Sequence, residues 1–587
     1  MRARRWLRAG AGAGAVALGL ALTSCASIPS HGQVRETTPT AASSQEEFIR
    51  VLARPPRDGA GPGEIVSGFL AASASFDGDH TVARTYLTTA ASAGWQPGDH
   101  VAIYESTPGY RLSGGATPAA DPTASSTVTM KALHAAGTID ARGQFSQPLS
   151  TGPFTEKFTL HKVAGQWRID TLPQGLVLGT GDVTRAYRSI NLYFTDISGG
   201  VLVPDPIFLP AQQPGIATTL VRELLQGPTA WLAPAVDTGF PRGTRLAVDA
   251  VPIENGVARV DLGASALTAT ADARRDMAAQ LSYLLQQLDG VSGVRITVRG
   301  VPFTVSGSAG VTREADWPEL DPAARPLDPT TYLLTAGHLS LVSGTSVRVV
   351  DGYFGRELGL RAAGTALDGT SIAGSYLDGG GDVVRVGPAG AATVTTVYRG
   401  GDVASLSWDR FGVVWIVDVG PTGAGVWTAR PGRAQHRVTV RGLAGRTVEL
   451  LRVSRDGTRA ALVVRTRTGA RQLVLARIER PAATPEDTVI SGLRRVESSL
   501  NSVGDVGWAG ATTLLASGRQ GSAPLQMYTV DVGGFSVATV GSVPQLATVA
   551  ACPGRPFLAG TLNNVIWSDR GSGWRTYVKG RVPIYPG

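Results

Sequence analysis

At 587 residues the chain is too long for one ordinary core, and its length points to three or four domains. A composition of 43% hydrophobic and 17% charged residues is that of folded protein and excludes a disordered chain. The formal charge of +8 falls to +4 if residues 1–24, with four arginines and no acid, are removed; so thin a surplus excludes nucleic acid as a partner, which needs a clustered basic face.

Residues 1–24 read as a secretion signal. Arg2, Arg4, Arg5 and Arg8 form a basic start, and residues 9–22 are an uncharged run of Ala, Gly, Leu and Val. That run is too short to span a bilayer, which takes about 20 apolar residues. Leu22-Thr23-Ser24-Cys25 follows and resembles the bacterial lipobox. The resemblance implies cleavage between Ser24 and Cys25, then diacylation of the Cys25 sulfur. Two acyl chains are what stable anchoring needs, at about 0.8 kcal/mol per buried CH2. The alternative is an ordinary cleaved signal with an incidental cysteine. Cys552 is the second of the two cysteines, so acylation of Cys25 leaves no intrachain disulfide, and stability then rests on core burial. Residues 25–60, with Pro29, Pro39, Pro55 and Pro56 among many Ser and Thr, read as a flexible tether.

From residue 61 to 182 the pattern is α+β. Ile65, Val66, Phe69, Leu70, Ser73 and Phe76 share one helix face, with Pro62 near its start. A short second helix is predicted over 79–87 with Asp79 as its cap. Strands are predicted over 101–105, 127–133 and 154–163, the last running into Gly165-Gln166-Trp167-Arg168-Ile169. A helical start followed by such a meander resembles the cone-shaped fold of nuclear-transport-factor-like domains.

Residues 187–304 form a better-defined block. The pattern predicts a strand over 189–195, irregular chain over 204–210 and a helix over 216–226 ended by Gly227-Pro228. Strands are expected over 246–251 and 257–262 around Glu254-Asn255-Gly256, then a helix over 272–288 and a strand over 294–299. The opening Ile190–Asp196 strand, the Leu224-Leu225-Gln226-Gly227-Pro228 string, the Gly256–Leu262 strand and the long helix resemble the GerMN domain. That resemblance implies a two-layer α/β domain that binds envelope components or protein partners, and it offers no established catalytic residues to carry over. Residues 305–330, with Pro318, Pro322, Pro326 and Pro329, read as a linker.

Residues 331–587 change to short alternating strands with Gly/Asp turns. Ser454-Arg455-Asp456-Gly457-Thr458-Arg459 is the clearest unit, with echoes at Asp368-Gly369, Ser407-Trp408-Asp409, Gly507-Trp508 and Asn563-Asn564. Their spacing is near the ~40–45 residues of a propeller blade, which predicts roughly six blades. A pair of β-sandwiches is the alternative. The fold class expected is therefore multidomain, α+β and all-β: a cone-like α+β domain, a GerMN two-layer α/β domain and a C-terminal β-propeller.

Motifs of catalysis are absent from the sequence. None of the seven His lies three or four residues from another; there is no HExxH, no GxSxG, and no phosphate-binding glycine loop after a strand. No catalytic, metal or cofactor residue is assigned, and the chain is not read as an enzyme. Asp368, Asp378 and Asp456 fit Asp-Gly turns better than calcium ligation, because Asp-Gly supplies the positive φ that hairpins need. Trp408, Trp415, Trp427, Trp508, Trp567 and Trp574 fit wedges between blades better than a sugar-binding face. Glycosidase or lyase acids scattered along a propeller would leave no local signature.

The order of these parts resembles the actinobacterial LpqB lipoprotein family over essentially the full chain. The resemblance implies an anchor on the extracytoplasmic face of the cell membrane. It also implies a role as accessory to a two-component sensor histidine kinase of the MtrAB type, in envelope homeostasis and cell division. Peptidoglycan or another glycan is the second expected partner, and an envelope hydrolase or lyase the third reading. A deep cleft with two facing acids would favour the enzyme.

Overall fold

The computed structural model describes residues 53–587 apart from 76–78, 116–123, 148–151, 212, 307–309, 324–329, 422, 482–483, 497–498 and 535. The signal, the lipobox and most of the tether lie outside the described residues, as does Phe76. Arg50–Gly587 form one compact unit.

The first domain builds on helix Pro62–Ser73, which buries Ile65, Val66, Phe69 and Leu70. Pro62 occupies the first turn, where its missing N–H costs nothing, and Glu64 accepts from the Gly61 N–H at 3.1 Å. Two four-stranded sheets enclose this helix's apolar face. One holds Tyr110–Gly114, Ser125–Ala132, Phe154–Val163 and Gln166–Thr171; the other holds Phe145–Ser146, Ala135–Asp140, His100–Tyr104 and Leu176–Gly179. The second helix is shorter than its expected 79–87: it spans Thr81–Arg84 behind His80, and Asp79 pairs with Arg84 at 3.1 Å instead of capping. The last residues of the expected tether are docked. Tyr86 donates to the Arg54 carbonyl at 2.8 Å, the Gly59 N–H donates to Gln166 Oε1 at 2.8 Å, and Ala60 is buried.

In the second domain, Tyr187–Asp196 is the centre of a three-stranded sheet, between Leu202–Pro210 and Val236–Asp237. The irregular chain expected over 204–210 is thus a full strand, paired from Leu202↔Thr195 to Pro210↔Tyr187. Its prolines hid it. Pro204, Pro206 and Pro210 fall on alternate positions of an edge strand, where the backbone N–H would face away from the partner. The one outward N–H among those positions, that of Phe208, donates to the Gly143 carbonyl of the first domain at 2.7 Å.

The strand expected over 246–251 is reduced to a single bridge, Leu246↔Leu262, and Val248 is exposed. The hairpin instead joins Ile253–Glu254 to Val257–Leu262, with Asn255 at φ 51° and Gly256 at φ 78° supplying its turn. Ile253–Glu254, Val257–Leu262, Gly293–Val298 and Val301–Pro302 form a four-stranded sheet in that order, and helices Ile216–Leu225 and Ala271–Leu285 pack on the two sheets. The longer helix is capped by Thr270, whose hydroxyl accepts from the Ala273 N–H at 3.2 Å. Described residues 310–323 of the expected linker 305–330 are part of this domain. Trp317 and Leu320 are buried in its core, and the Thr312 hydroxyl meets that of Ser282 at 2.9 Å. Apolar Trp317 and Leu320 pack with the helix here.

The third domain is a six-bladed propeller. Blade 1 combines Thr331–Thr335, His338–Ser343 and Ser346–Val349 with Arg581–Ile584, so strands from both ends of the domain close the ring. Blade 2 runs from Leu360–Thr365 to Thr395–Arg399, blade 3 from Val403–Trp408 to His436–Val440, and blade 4 from Thr447–Val453 to Val489–Arg495. Blade 5 ends at Val537–Gly541 and blade 6 at Trp574–Lys579. Tryptophans wedge between blades, each tied by its indole N–H at 3.0 Å: Trp408 to the Gly364 carbonyl, Trp508 to Arg452 and Trp574 to Val540.

Candidate functional site

All three domains meet at one side chain. Arg494, on the outer strand of blade 4, lies over the Trp231 ring of the GerMN-like domain with its guanidinium carbon 4.0 Å from the centroid. It donates to the Phe145 carbonyl of the first domain at 3.3 Å and to the Val532 carbonyl of blade 5 at 3.4 Å. Burial pushes its pKa down to about 10, against the opposing fields of Asp205 and Asp531. Burial likewise raises the carboxyls of Asp205 and Asp531; Asp205 accepts from the Thr229 N–H at 2.7 Å and hydroxyl at 2.9 Å.

Around this centre the contacts are specific. The Trp231 indole donates to the Gly492 carbonyl at 2.6 Å, and Arg477 donates to the Trp231 carbonyl at 2.6 Å. Arg142 of the first domain donates to the carbonyls of Gly227 at 2.8 Å and Pro228 at 3.0 Å, so the Gly-Pro helix end doubles as a docking point. Further along, Arg410 of blade 3 bonds Asp196 at 3.0 Å and Ser198 at 3.0 Å. The contacts of the buried Arg494 guanidinium with Trp231 and Phe145 are kept only while the domains stay together.

Three cavities lie in the propeller. Its central channel is narrow, about 80 Å³, and is lined by inner strands including Arg452, Asp505 and Tyr585. Pro586 and Gly587 cross its mouth: Arg455 donates to the Pro586 carbonyl at 2.8 Å and the Gly587 N–H donates to Thr365 at 3.0 Å. Asp505 is held by Arg452 at 3.4 Å and by the Val549 N–H at 3.0 Å. A second cavity of about 210 Å³ lies between blades 3 and 4, and a third of about 630 Å³ between blades 1 and 6. The linings hold one carboxylate side chain in the channel (Asp505), one in the second cavity (Glu486) and none in the third, so none of the three presents two facing acids.

Ser24 and Cys25 lie outside the described residues. Cys552 is buried, with Arg455 Nη2 3.3 Å from its sulfur. Asp456 is a turn former: it accepts from the Ser454 hydroxyl at 2.6 Å, the Thr458 N–H at 2.8 Å and Arg459 Nη2 at 2.5 Å. Asp368 likewise takes the Thr370 N–H at 2.9 Å, and Asp378 lies beside Arg385 and Arg399 at 3.4 Å each. Among the described residues, no group of His, Cys, Asp and Glu could hold a metal ion, and no helix is long and apolar enough to cross a membrane. The junction residues Asp205, Trp231 and Arg494 were not singled out from sequence. The one available signal was Trp231 itself, a large aromatic in a loop outside any apolar periodicity.

Comparison with known proteins covers nearly the whole chain. Residues 55–184 match the family described as "Lipoprotein LpqB, N-terminal domain", residues 191–304 the family "Sporulation and spore germination", and residues 337–586 the "Lipoprotein LpqB beta-propeller domain". The chain is 33% identical to Lipoprotein LpqB of Thermobifida fusca, covering 99% of each chain. It is 32% identical to Lipoprotein LpqB of Streptomyces avermitilis, over 100% of this chain and 99% of the other. Among solved structures, TolB from Acinetobacter baumannii aligns with 44% of this chain and 67% of its own at 13% identity, with a TM-score of 0.34.

Proposed function

The chain belongs to the LpqB lipoprotein family, a family of membrane-anchored lipoproteins, and from that premise we propose that it acts as an extracytoplasmic accessory to a sensor histidine kinase. The anchor would be Cys25, acylated after cleavage behind Ser24. The observation that carries the reading is the junction at Arg494. It joins the first domain, the GerMN domain and the propeller into one compact unit, on which a protein partner could dock across domains. The three propeller cavities described lack the paired carboxylates of a glycosidase, which favours a binding role over a hydrolase or lyase. To shift the kinase's signalling equilibrium, that surface must bind its two states unequally.

Membrane crosslinking of the tagged wild type beside Cys25→Ala, read by mass spectrometry, tests this. Recovery of a sensor kinase with the wild type, weakened in Cys25→Ala, supports it. Recovery of wall fragments alone, or of no partner, sinks it. Peptidoglycan binding is the second reading. It draws on the outward side of the GerMN sheet, where Arg259 and Arg295 are exposed beside Asp261 and Thr297. It expects pull-down with purified wall and no dependence on the kinase.

A further inference from the structure

The cavity of about 210 Å³ between blades 3 and 4 has an apolar floor and a positive wall. Val413, Trp415 and Ala429 form the floor, with Trp415 and Ala429 buried. Arg430, Arg433 and Arg480 line the wall, with His436 beside them and Glu486 as the one carboxylate of the lining.

Arg480 is already committed. Its Nη2 donates to Asp409 at 2.7 Å, its Nη1 to the Gly457 carbonyl at 3.2 Å, and its guanidinium lies over the Phe411 ring at 4.3 Å. The nearby Asp196 is taken by Arg410 at 3.0 Å. Arg430 and Arg433 have no ion pair among the described residues, Glu486 included. Burial first, and then the neighbouring Arg430 charge, lower the pKa of Arg480 against the pull of Asp409. Two guanidiniums that make no ion pair, against the single carboxylate of Glu486, thus face a concave space that focuses their field. A guanidinium is a planar fork of donors that matches an oxyanion through paired hydrogen bonds.

We propose that this cavity binds a small ligand bearing an oxyanion, a phosphate monoester or a carboxylate, held by Arg430 and Arg433 with its uncharged part over the Trp415 floor. The volume is below the ~300–1,000 Å³ of drug-sized sites, which restricts the ligand to a small molecule. The proposal does not rest on the kinase reading.

Isothermal titration of the full-length protein in detergent micelles tests it. The probes are inorganic phosphate, glycerol 3-phosphate and N-acetylmuramic acid, with N-acetylglucosamine as the uncharged control. The expected result is saturable binding of at least one anion and none of the control. Arg430→Gln/Arg433→Gln, with unfolding temperature unchanged, weakens that binding about tenfold or more, because charge-assisted hydrogen bonds are lost. Arg519→Gln, remote on blade 5, leaves it unchanged. Binding of the phosphate probes alone assigns the ligand as a phosphate, and binding of N-acetylmuramic acid alone assigns it as a carboxylate. No saturation by any anion up to about 10 mM, or equal binding by the double variant, overturns the proposal.

Discussion

Blade 4 and the domain junction each bury an arginine among carboxylates, and they treat the charge in opposite ways. Within the blade, Arg459 and Asp456 are three residues apart and in direct contact at 2.5 Å, both almost wholly buried. Burial alone would raise the Asp456 carboxyl, but the Arg459 charge and the bonds from Arg459, Ser454 and Thr458 hold it below its ordinary value. At the junction, Arg494 donates to two carbonyls and stacks on Trp231, and Asp205 spends its oxygens on Thr229. The junction acids stay raised. A charge pair made inside one folding unit is thus closed locally, while the junction guanidinium, held by carbonyls and a ring of other units, depends on the units staying docked.

The largest effect is expected where the local pair is broken. Asp456→Ala leaves the Arg459 guanidinium buried without its partner and costs about 3–5 kcal/mol. Urea denaturation followed by tryptophan fluorescence measures it, and a loss under about 1 kcal/mol would show that water reaches Arg459. Arg494→Ala removes two hydrogen bonds and a cation–π contact at the junction, at about 1–3 kcal/mol. Its signature is local: faster hydrogen exchange around Phe145, Trp231 and Val532, with blades 1 and 2 unchanged. Exchange that quickens evenly through the propeller would mean that the junction is part of the propeller's own core. Trp231→Phe keeps the ring beneath Arg494 and removes only the indole bond to Gly492, so about 1 kcal/mol is expected.

The same contrast governs what could be read from sequence. The Asp456–Arg459 pair lies inside the Ser454–Arg459 unit that marked the propeller, because turn chemistry is local and repeats blade by blade. The long amphipathic helix of the GerMN domain was legible for the same reason: its caps and apolar face sit within Ala271–Leu285. The strand Leu202–Pro210 was not, because three prolines mask a register that only its partner strand reveals. Trp317 and Leu320 were assigned to a linker because no periodicity joins them to the helix they cover. The junction is the extreme case. Trp231 meets Gly492 across 261 positions and Arg494 meets Phe145 across 349, so no window of sequence contains both partners. The anion cavity shares this character, since Arg430, Arg433 and Arg480 converge from two blades.

The smallest expected effect, and the most direct on the comparison, is in pH. Asp205 and Asp531 have folded pKa values above the ordinary 3.8 of Asp. They bind a proton more tightly folded than unfolded, so their contribution to stability is full below that ordinary value and is lost as pH rises through the raised folded value. Asp456 is depressed when folded, so its contribution is full above 3.8 and is lost as pH falls through the lower folded value. Neutralising each should therefore tilt the pH profile in opposite senses. Relative to wild type, Asp205→Asn gains as pH rises through the raised folded value of Asp205, and the gain shrinks toward about pH 4. Asp456→Asn loses most at neutral pH, and that loss shrinks only below about pH 4. Thermal unfolding of the three proteins across this range reads both slopes. If both variants tilt the same way, the junction carboxyl is charged and paired like the one in the blade, and the distinction between a pair closed within a domain and one held by docking fails.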